Sequence, residues 1–314
     1  MKIQDIIKVA FYHLNERRRQ SFLTASGVAI GCAMLITTIS VATGSSTNIR
    51  EKIVDTSPHV SILPKLSVPR VPENLLTDTT KHGFALVEKN ITSSDKQAIK
   101  SYAEIVATAE AMKEVEVVSP FVMTKLIVRN KTRFKPSIAR GVIPEKEARV
   151  ISLEKILISG SVEELAYTPN GIMLGDMLAE DLRADYRTRL DLVTEKGEVF
   201  PVIVVGRFRS GFSEFDKKMA YINLRLGQRI EGLSQSTVSG IGIRTYNIKD
   251  SRDIARRMER LTGYEAESWD ETQKNVLEFI QRNNSVTLVL VGFVFVVAGS
   301  NVRFNIANSE PIGS

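Results

Sequence analysis

An α+β domain of two subdomains, held between two transmembrane α-helices, is the fold class that this chain of 314 residues predicts. Three observations predict it. Residues 22–42 and 285–302 are apolar and uncharged, and ~20 such residues suffice for a helix to cross a bilayer. The stretch between them, 43–284, is polar and mixes strand-like with helix-like segments. Hairpins occur within that mixture, and the mixed order favours an α+β domain of two subdomains. Whole-chain composition hides the segregation, since 43% hydrophobic and 25% charged residues describe an ordinary globular protein.

Before the first span, in residues 1–21, Ile3, Ile6, Ile7, Ala10, Phe11 and Leu14 recur at helical spacing, with Lys2, Asp5 and Lys8 among them. This predicts either an amphipathic helix along the inner leaflet or a cytoplasmic extension of the span. Arg17, Arg18 and Arg19 precede the first span and Arg303 follows the second. Basic flanks mark the cytoplasmic side, so both termini are expected there, with 43–284 outside, periplasmic in a Gram-negative cell, and 303–314 a short inner tail. The net charge of +6 is then partly a mark of topology, and nucleic acid is not an expected partner. The apolar core of 22–42 exceeds the 7–15 residues of a signal sequence, which favours an uncleaved anchor. Cys32, the single cysteine, lies inside that span, so the outer domain is expected to fold without a disulfide. Gly27 and Gly31 form a small-xxx-small pair through which a second helix could approach closely.

In the outer domain, residues 58–83 carry Pro58, Pro64, Pro69 and Pro72 and read as loop. Ser94 and Gln97 have capping-box spacing for a helix reaching about Met112. Residues 115–122 read as a strand, and 126–128 and 137–142 as a pair across the turn 130–133. Asn170-Gly171 introduces a short strand, and Gly175 leads into a helix ending near Leu182. Residues 190–194 and 199–208 form a hairpin turning at 195–198. The strand 220–224, the helix 226–231 and the strand 240–245 follow. A helix over 251–261 is expected to face inward with Ile254, Met258 and Leu261. Asp270 and Gln273 signal a last helix, running without a Gly or Pro break into the second span. No period of 20 to 50 residues repeats.

Catalytic patterns are missing. The chain has no HExxH, no GxSxG nucleophile elbow and no phosphate-cradling P-loop, so it is not read as an enzyme and no cofactor is expected. His13, His59 and His82 are scattered and read as surface histidines, not metal ligands. Glu163-Glu164 and Asp270-Glu271 fit helix starts, and Trp269 reads as a core or staple residue.

Several segments, in order, carry a family resemblance. Arg17-Arg-Arg-Gln-Ser-Phe-Leu-Thr-Ala-Ser-Gly-Val-Ala-Ile-Gly31 and Thr37-Thr-Ile-Ser-Val-Ala-Thr-Gly44 open it. Arg140-Gly-Val-Ile-Pro144, Gly171-Ile-Met-Leu-Gly175, Val205-Gly-Arg-Phe208 with Gly211 and Asp216, Ala220-Tyr-Ile-Asn-Leu224, Val238-Ser-Gly-Ile241 and Ser268-Trp269 continue it, and Phe304-Asn-Ile306 closes it. Together they resemble ABC-transporter permeases of the lipoprotein-releasing (LolC/LolE) and MacB-like type. The resemblance implies a multi-pass inner-membrane permease that transmits ATP-driven motion outward, working with a second permease subunit and a cytoplasmic ABC ATPase. It also implies that the acyl chains of a lipoprotein substrate meet apolar faces of the two spans, here Met34, Leu35, Ile39, Leu288 and Val291.

The chain departs from the family in three places. The family's third and fourth spans and its ATPase-engaging segment are absent, which reads as a truncated permease. The long hook that captures a periplasmic carrier in LolC-type members is replaced by the tight turn 195–198, and the Gly-Asp usual after the helix ending near Leu182 is missing around 185–189. The competing reading is a two-pass periplasmic sensor or scaffold without transport activity.

Overall fold

The computed structural model describes residues 18–65 and 98–278, with single helical positions at Arg282, Ser285, Val286, Val289 and Gly292. Residues 1–17, 66–97 and most of 279–314 lie outside the described residues, and with them the expected N-terminal amphipathic helix, the 94–97 capping box, His13, His82 and most of the second span. Lys52–Thr272 is one compact unit, and the described residues on either side of it belong to a second.

The first span belongs to a longer helix, α1 (Arg18–Thr56). After it, the described chain runs β1 (Val60–Leu63), α2 (Tyr102–Glu110), β2 (Val115–Asn130), β3 (Arg133–Val142), α3 (Pro144–Val150), α4 (Leu153–Ile156), β4 (Leu157–Gly160), α5 (Val162–Tyr167), β5 (Gly171–Gly175) and α6 (Asp176–Leu182). It continues with β6 (Arg189–Thr194), β7 (Val199–Phe208), α7 (Ser213–Asp216), β8 (Met219–Asn223), α8 (Leu224–Glu231), β9 (Gly240–Thr245), α9 (Ser251–Thr262), β10 (Glu265–Ser268) and α10 (Trp269–Thr272). The α+β class is as expected.

β2 is one strand where the sequence suggests two, and its length splices the two halves of the sheet. Its first half pairs with β9, beyond which lie β1 and β10; its second half pairs with β3 and β6. From there the pairings β3–β8, β8–β5, β5–β7, β7–β6 and β6–β2 return to β2, so six strands close into a small barrel. Its interior is filled from all six strands by Leu126, Val128, Ala139, Ile172, Leu174, Leu190, Leu192, Val202, Val204, Ala220 and Ile222, while α6 and α8 add Leu178, Leu182, Leu226 and Ile230. Closure leaves these strands without an open edge. The other half buries a separate core in which Ile62, Ile105, Val118, Ile243, Ile254 and Met258 meet.

The barrel has an internal two-fold relation. The hairpin β2–β3 with β5 and α6 corresponds to the hairpin β6–β7 with β8 and α8. Under this correspondence Leu126 matches Leu190, Val128 matches Leu192, Ala139 matches Val204, Leu174 matches Ile222, Leu178 matches Leu226 and Leu182 matches Ile230, all of them buried. The registers agree, because Ala139 pairs with Ala220 as Val204 pairs with Ile172, both in parallel. No sequence period betrays this, since insertions of unequal length (α3, α4, β4 and α5 in one half, α7 in the other) separate the matched elements.

Where local signals compete with long-range pairing, the structure corrects the sequence. Residues 60–63 form β1, although flanking prolines read as loop; Val60 and Ile62 point into the core while Ser61 and Leu63 are half-buried. α2 starts at Tyr102, because Ile99 exchanges backbone hydrogen bonds with Val238 (2.8 and 3.0 Å), and a residue so committed cannot join a helix. Leu261 is exposed, not inward. α9 is about 18 Å long and the four-residue strands β1 and β10 on which it packs are about 13 Å, so its last turn overhangs them. The last helix is capped by Ser268, not Asp270: its N–H and Oγ each meet Glu271 Oε2 at 2.9 Å. That helix is interrupted at Gln273, whose carbonyl accepts from both Val276 and Leu277 N–H at 3.0 Å. The turn at 185–189 forms without the family's Gly-Asp: Arg187 takes φ 65° and Thr188 N–H donates to Asp185 O at 3.0 Å.

Candidate functional site

α1 spans 39 residues, about 58 Å, against a hydrocarbon core ~30 Å thick. Its portion Ala29–Thr56 is long and apolar enough to cross a membrane by length and composition, the one such helix among the described residues. Hydroxyls along it are satisfied inside the helix, as lipid requires: Thr37 Oγ1 donates to Ala33 O and Thr38 Oγ1 to Met34 O, each at 2.8 Å. Among the acyl-chain candidates, Met34 and Ile39 are exposed and Leu35 is half-buried. Leu35 and Ile39 share a face one turn apart. Leu288 and Val291 lie outside the described residues. Of the packing glycines, both helical, a Cβ at Gly31 would meet nothing within 4 Å among the described residues.

The last turn of α1, from Lys52 to Thr56, belongs to the Lys52–Thr272 unit. Ile53 is buried in the last turn. Asp55 reaches Lys155 Nζ of α4 at 3.3 Å and Arg244 Nη2 of β9 at 3.9 Å. Arg244 in turn donates to Val150 O at 3.0 Å and lies 3.6 Å from Glu116. One carboxylate on the helix thus addresses both halves of the domain. Lys52 packs against Gly211, where a Cβ would come within 2.9 Å of its Nζ and where φ is +86°. Pro58 then packs on Gly242 of β9, 3.0 Å from the position a Cβ would take.

His59 follows this turn within the same unit. It is 4% exposed, so the surface reading is wrong: the β9 pairing that follows α1 draws it inside. Its Nδ1 accepts from Thr245 N–H at 3.2 Å and lies 2.9 Å from Thr245 Oγ1, which places the neutral ring's proton on Nε2. The His59 carbonyl accepts from Trp269 N–H at 2.9 Å, and Val60 pairs with Ser268. The strand entering the domain from α1 and the strand leaving it toward α10 are therefore hydrogen-bonded neighbours. Half-buried Trp269 sits at that exit.

Burial, reinforced by the Arg244 charge, lowers the His59 pKa from 6.5 to about 4, against smaller raising effects of the Thr245 backbone bond, Glu116 and Asp55. Unfolding frees the ring to titrate near 6.5, so the unfolded state binds the proton first as pH falls. Stability is full above pH 6.5 and is lost between 6.5 and 4, by roughly 1–2 kcal/mol after allowance for screening. His59→Gln should flatten that part of the curve, measured by urea unfolding at pH 7 and pH 4.5; an unchanged slope would rule out His59 as its source.

Several residues that carry the family resemblance hold the barrel and its turns together. Arg140 Nε lies 2.9 Å from Glu147 Oε1, with Glu147 0% exposed, and its guanidinium stacks 3.7 Å from the Phe121 ring centroid. The two charges touch without hydrogen-bond alignment, so the pair is coulombic. Burial raises the pKa of Tyr221, the register neighbour of Arg140. Gly141 lets α8 approach, since a Cβ there would lie 3.0 Å from Gly227 Cα. Asp176, at the start of α6, is bridged by Arg207 and Arg209. Burial works against its ionisation, but the hydrogen bonds from Arg209 and Arg207 outweigh it and hold the carboxyl below the usual carboxylate range. Asp216 accepts from Ser210 N–H and Oγ at 2.9 and 2.7 Å and closes the turn after β7. Sequence reasoning missed Asp55 and Arg244, whose pairing across the chain leaves no local signal.

Residues 21–261 match the family described as the MacB-like periplasmic core domain. The lipoprotein-releasing system transmembrane protein LolC of Xylella fastidiosa (strain Temecula1) is 22% identical over 97% of this chain and 69% of its own length. The protein of the same name from Neisseria meningitidis serogroup B is 19% identical over 94% and 68%. The periplasmic region of MacB from Actinobacillus actinomycetemcomitans, a solved structure, is 11% identical, covering 72% of this chain and 94% of that one with a TM-score of 0.45. The family match spans all six barrel strands and every strand of the flanking sheet but β10, and on it the chain belongs to the MacB-like family of ABC-transporter permeases.

Proposed function

We propose that this permease serves lipoprotein release from the inner membrane, with α1 carrying motion from the cytoplasmic side to the periplasmic barrel. The observation that supports it is the unbroken helix Arg18–Thr56, longer than a bilayer is thick and anchored at its foot by Ile53 and Asp55. The names of the LolC relatives favour a lipoprotein as cargo. A cytoplasmic ABC ATPase supplies the energy and a second permease subunit completes the transporter, Gly27 and Gly31 receiving a neighbouring helix. Both termini lie in the cytoplasm, residues 285–302 form the second span, and the acyl chains of the cargo rest on Met34, Leu35, Ile39, Leu288 and Val291. Carrier capture falls to the partner subunit, because the β6–β7 hairpin turns within four residues, Thr194 N–H bonding Glu198 O at 3.0 Å.

The test is ATP-dependent release of a radiolabelled lipoprotein from proteoliposomes holding the protein, its partner subunit and the ATPase. Leu35→Asp should reduce release at least ten-fold while leaving basal ATP hydrolysis within two-fold. Release that never depends on ATP, or that survives this substitution, contradicts the proposal.

A further inference from the structure

The barrel carries an apolar groove that uses none of the residues assigned to transport above. Its floor is the outward face of β2, β3 and β6, where Ile127 stands opposite Val193 on one side and Pro136 on the other, with Ile138 beside them. Ile127 remains 41% exposed. The groove encloses 320 Å³, at the low end of the ~300–1,000 Å³ typical of small-molecule pockets. Its charged rim is Lys125, Lys218 and Glu195, net +1. Lys218 shares its charge with Glu214 at 3.4 Å, whereas Lys125 makes no ion pair among the described residues.

We infer that this groove binds a single-chain anionic amphiphile, its acyl chain along the floor and its acid group paired with Lys125. The floor decides against a peptide. The β2 segment 126–129 is already hydrogen-bonded to β3 on one edge and β6 on the other, so a docked peptide would bury its own N–H and C=O groups against methyls with no partner for them. An acyl chain has no such groups, and its gain is the water it sheds. Lys125, which has no carboxylate partner among the described residues, selects an acid over a neutral head.

The full chain in lipid nanodiscs, exposed to a hexadecanoic acid bearing a photoreactive diazirine near its methyl end, should label peptides containing residues 123–138 and 193–196. The matching fatty alcohol should label these peptides at least five-fold less, and Lys125→Glu should lower labelling by the acid at least five-fold. Ile127→Asp, a surface change that leaves the near-ultraviolet circular dichroism unaltered, should lower it as well. Label confined to residues 22–42 and 285–302, equal labelling by acid and alcohol, or efficient crosslinking of an Ile127→Cys variant to a second copy in place of labelling would each overturn the inference.

Discussion

Gly175→Ala is expected to cost at least about 3 kcal/mol and to lower the melting temperature by roughly 6–12 °C. A Cβ at Gly175 would lie 2.2 Å from the Asp216 carbonyl oxygen and 2.8 Å from its Cα, both main-chain atoms that no rotamer change can move aside. Asp216 also holds the turn after β7 through Ser210, so the strain reaches the β5–β7 pairing and the barrel. Gly197→Ala is the control. Its φ of +82° is left-handed, whereas Gly175 has φ −57°, open to any residue; a Cβ at Gly197 meets nothing within 4 Å, so only about 1 kcal/mol of backbone strain is expected. Thermal unfolding of the two variants side by side separates a steric requirement from a conformational one, and equal losses would contradict the steric account.

The second large effect is at Arg140 and Glu147. Removing one partner strands a buried charge, which costs about 3–5 kcal/mol, while replacing both with apolar residues of similar volume is neutral or stabilising. Glu147→Leu alone should therefore be severe, and Arg140→Met with Glu147→Leu should recover most of the loss, short of the ~1 kcal/mol that the guanidinium gains over the Phe121 ring. A double-mutant cycle in urea measures this coupling. Additive losses would mean that the contact at 2.9 Å contributes nothing.

Elements whose instructions are local were legible in the sequence. The β2–β3 and β6–β7 hairpins follow from alternating apolar residues around short polar turns, and α6 and α8 follow from apolar spacing after a short strand. What was not legible depends on partners far along the chain. β1 exists because β9 and β10 flank it, His59 is buried because Thr245, 186 residues away, receives it, and barrel closure rests on the β2–β6 pairing. The helix start at Tyr102 was misplaced for the same reason, since Ile99 answers to Val238 and not to its neighbours. At the candidate site, the apolar span was plain in residues 22–42, but its continuation to Thr56 passes through Ser45, Ser46 and Thr47, residues of modest helix propensity. The ion-pair cluster at its last turn was invisible, because Asp55, Lys155 and Arg244 lie in unrelated segments that only the fold brings together.

Motion can pass along α1 only if the helix is stiff between the membrane and its foot. Four glycines inserted after Gly44 would soften that stretch, while four alanines, about one turn, would lengthen it and keep it helical. In the proteoliposome assay the glycine insertion is expected to leave ATP hydrolysis within two-fold and to reduce lipoprotein release at least ten-fold, with the alanine insertion retaining most of it. Undiminished release with the glycine insertion would contradict transmission through this helix.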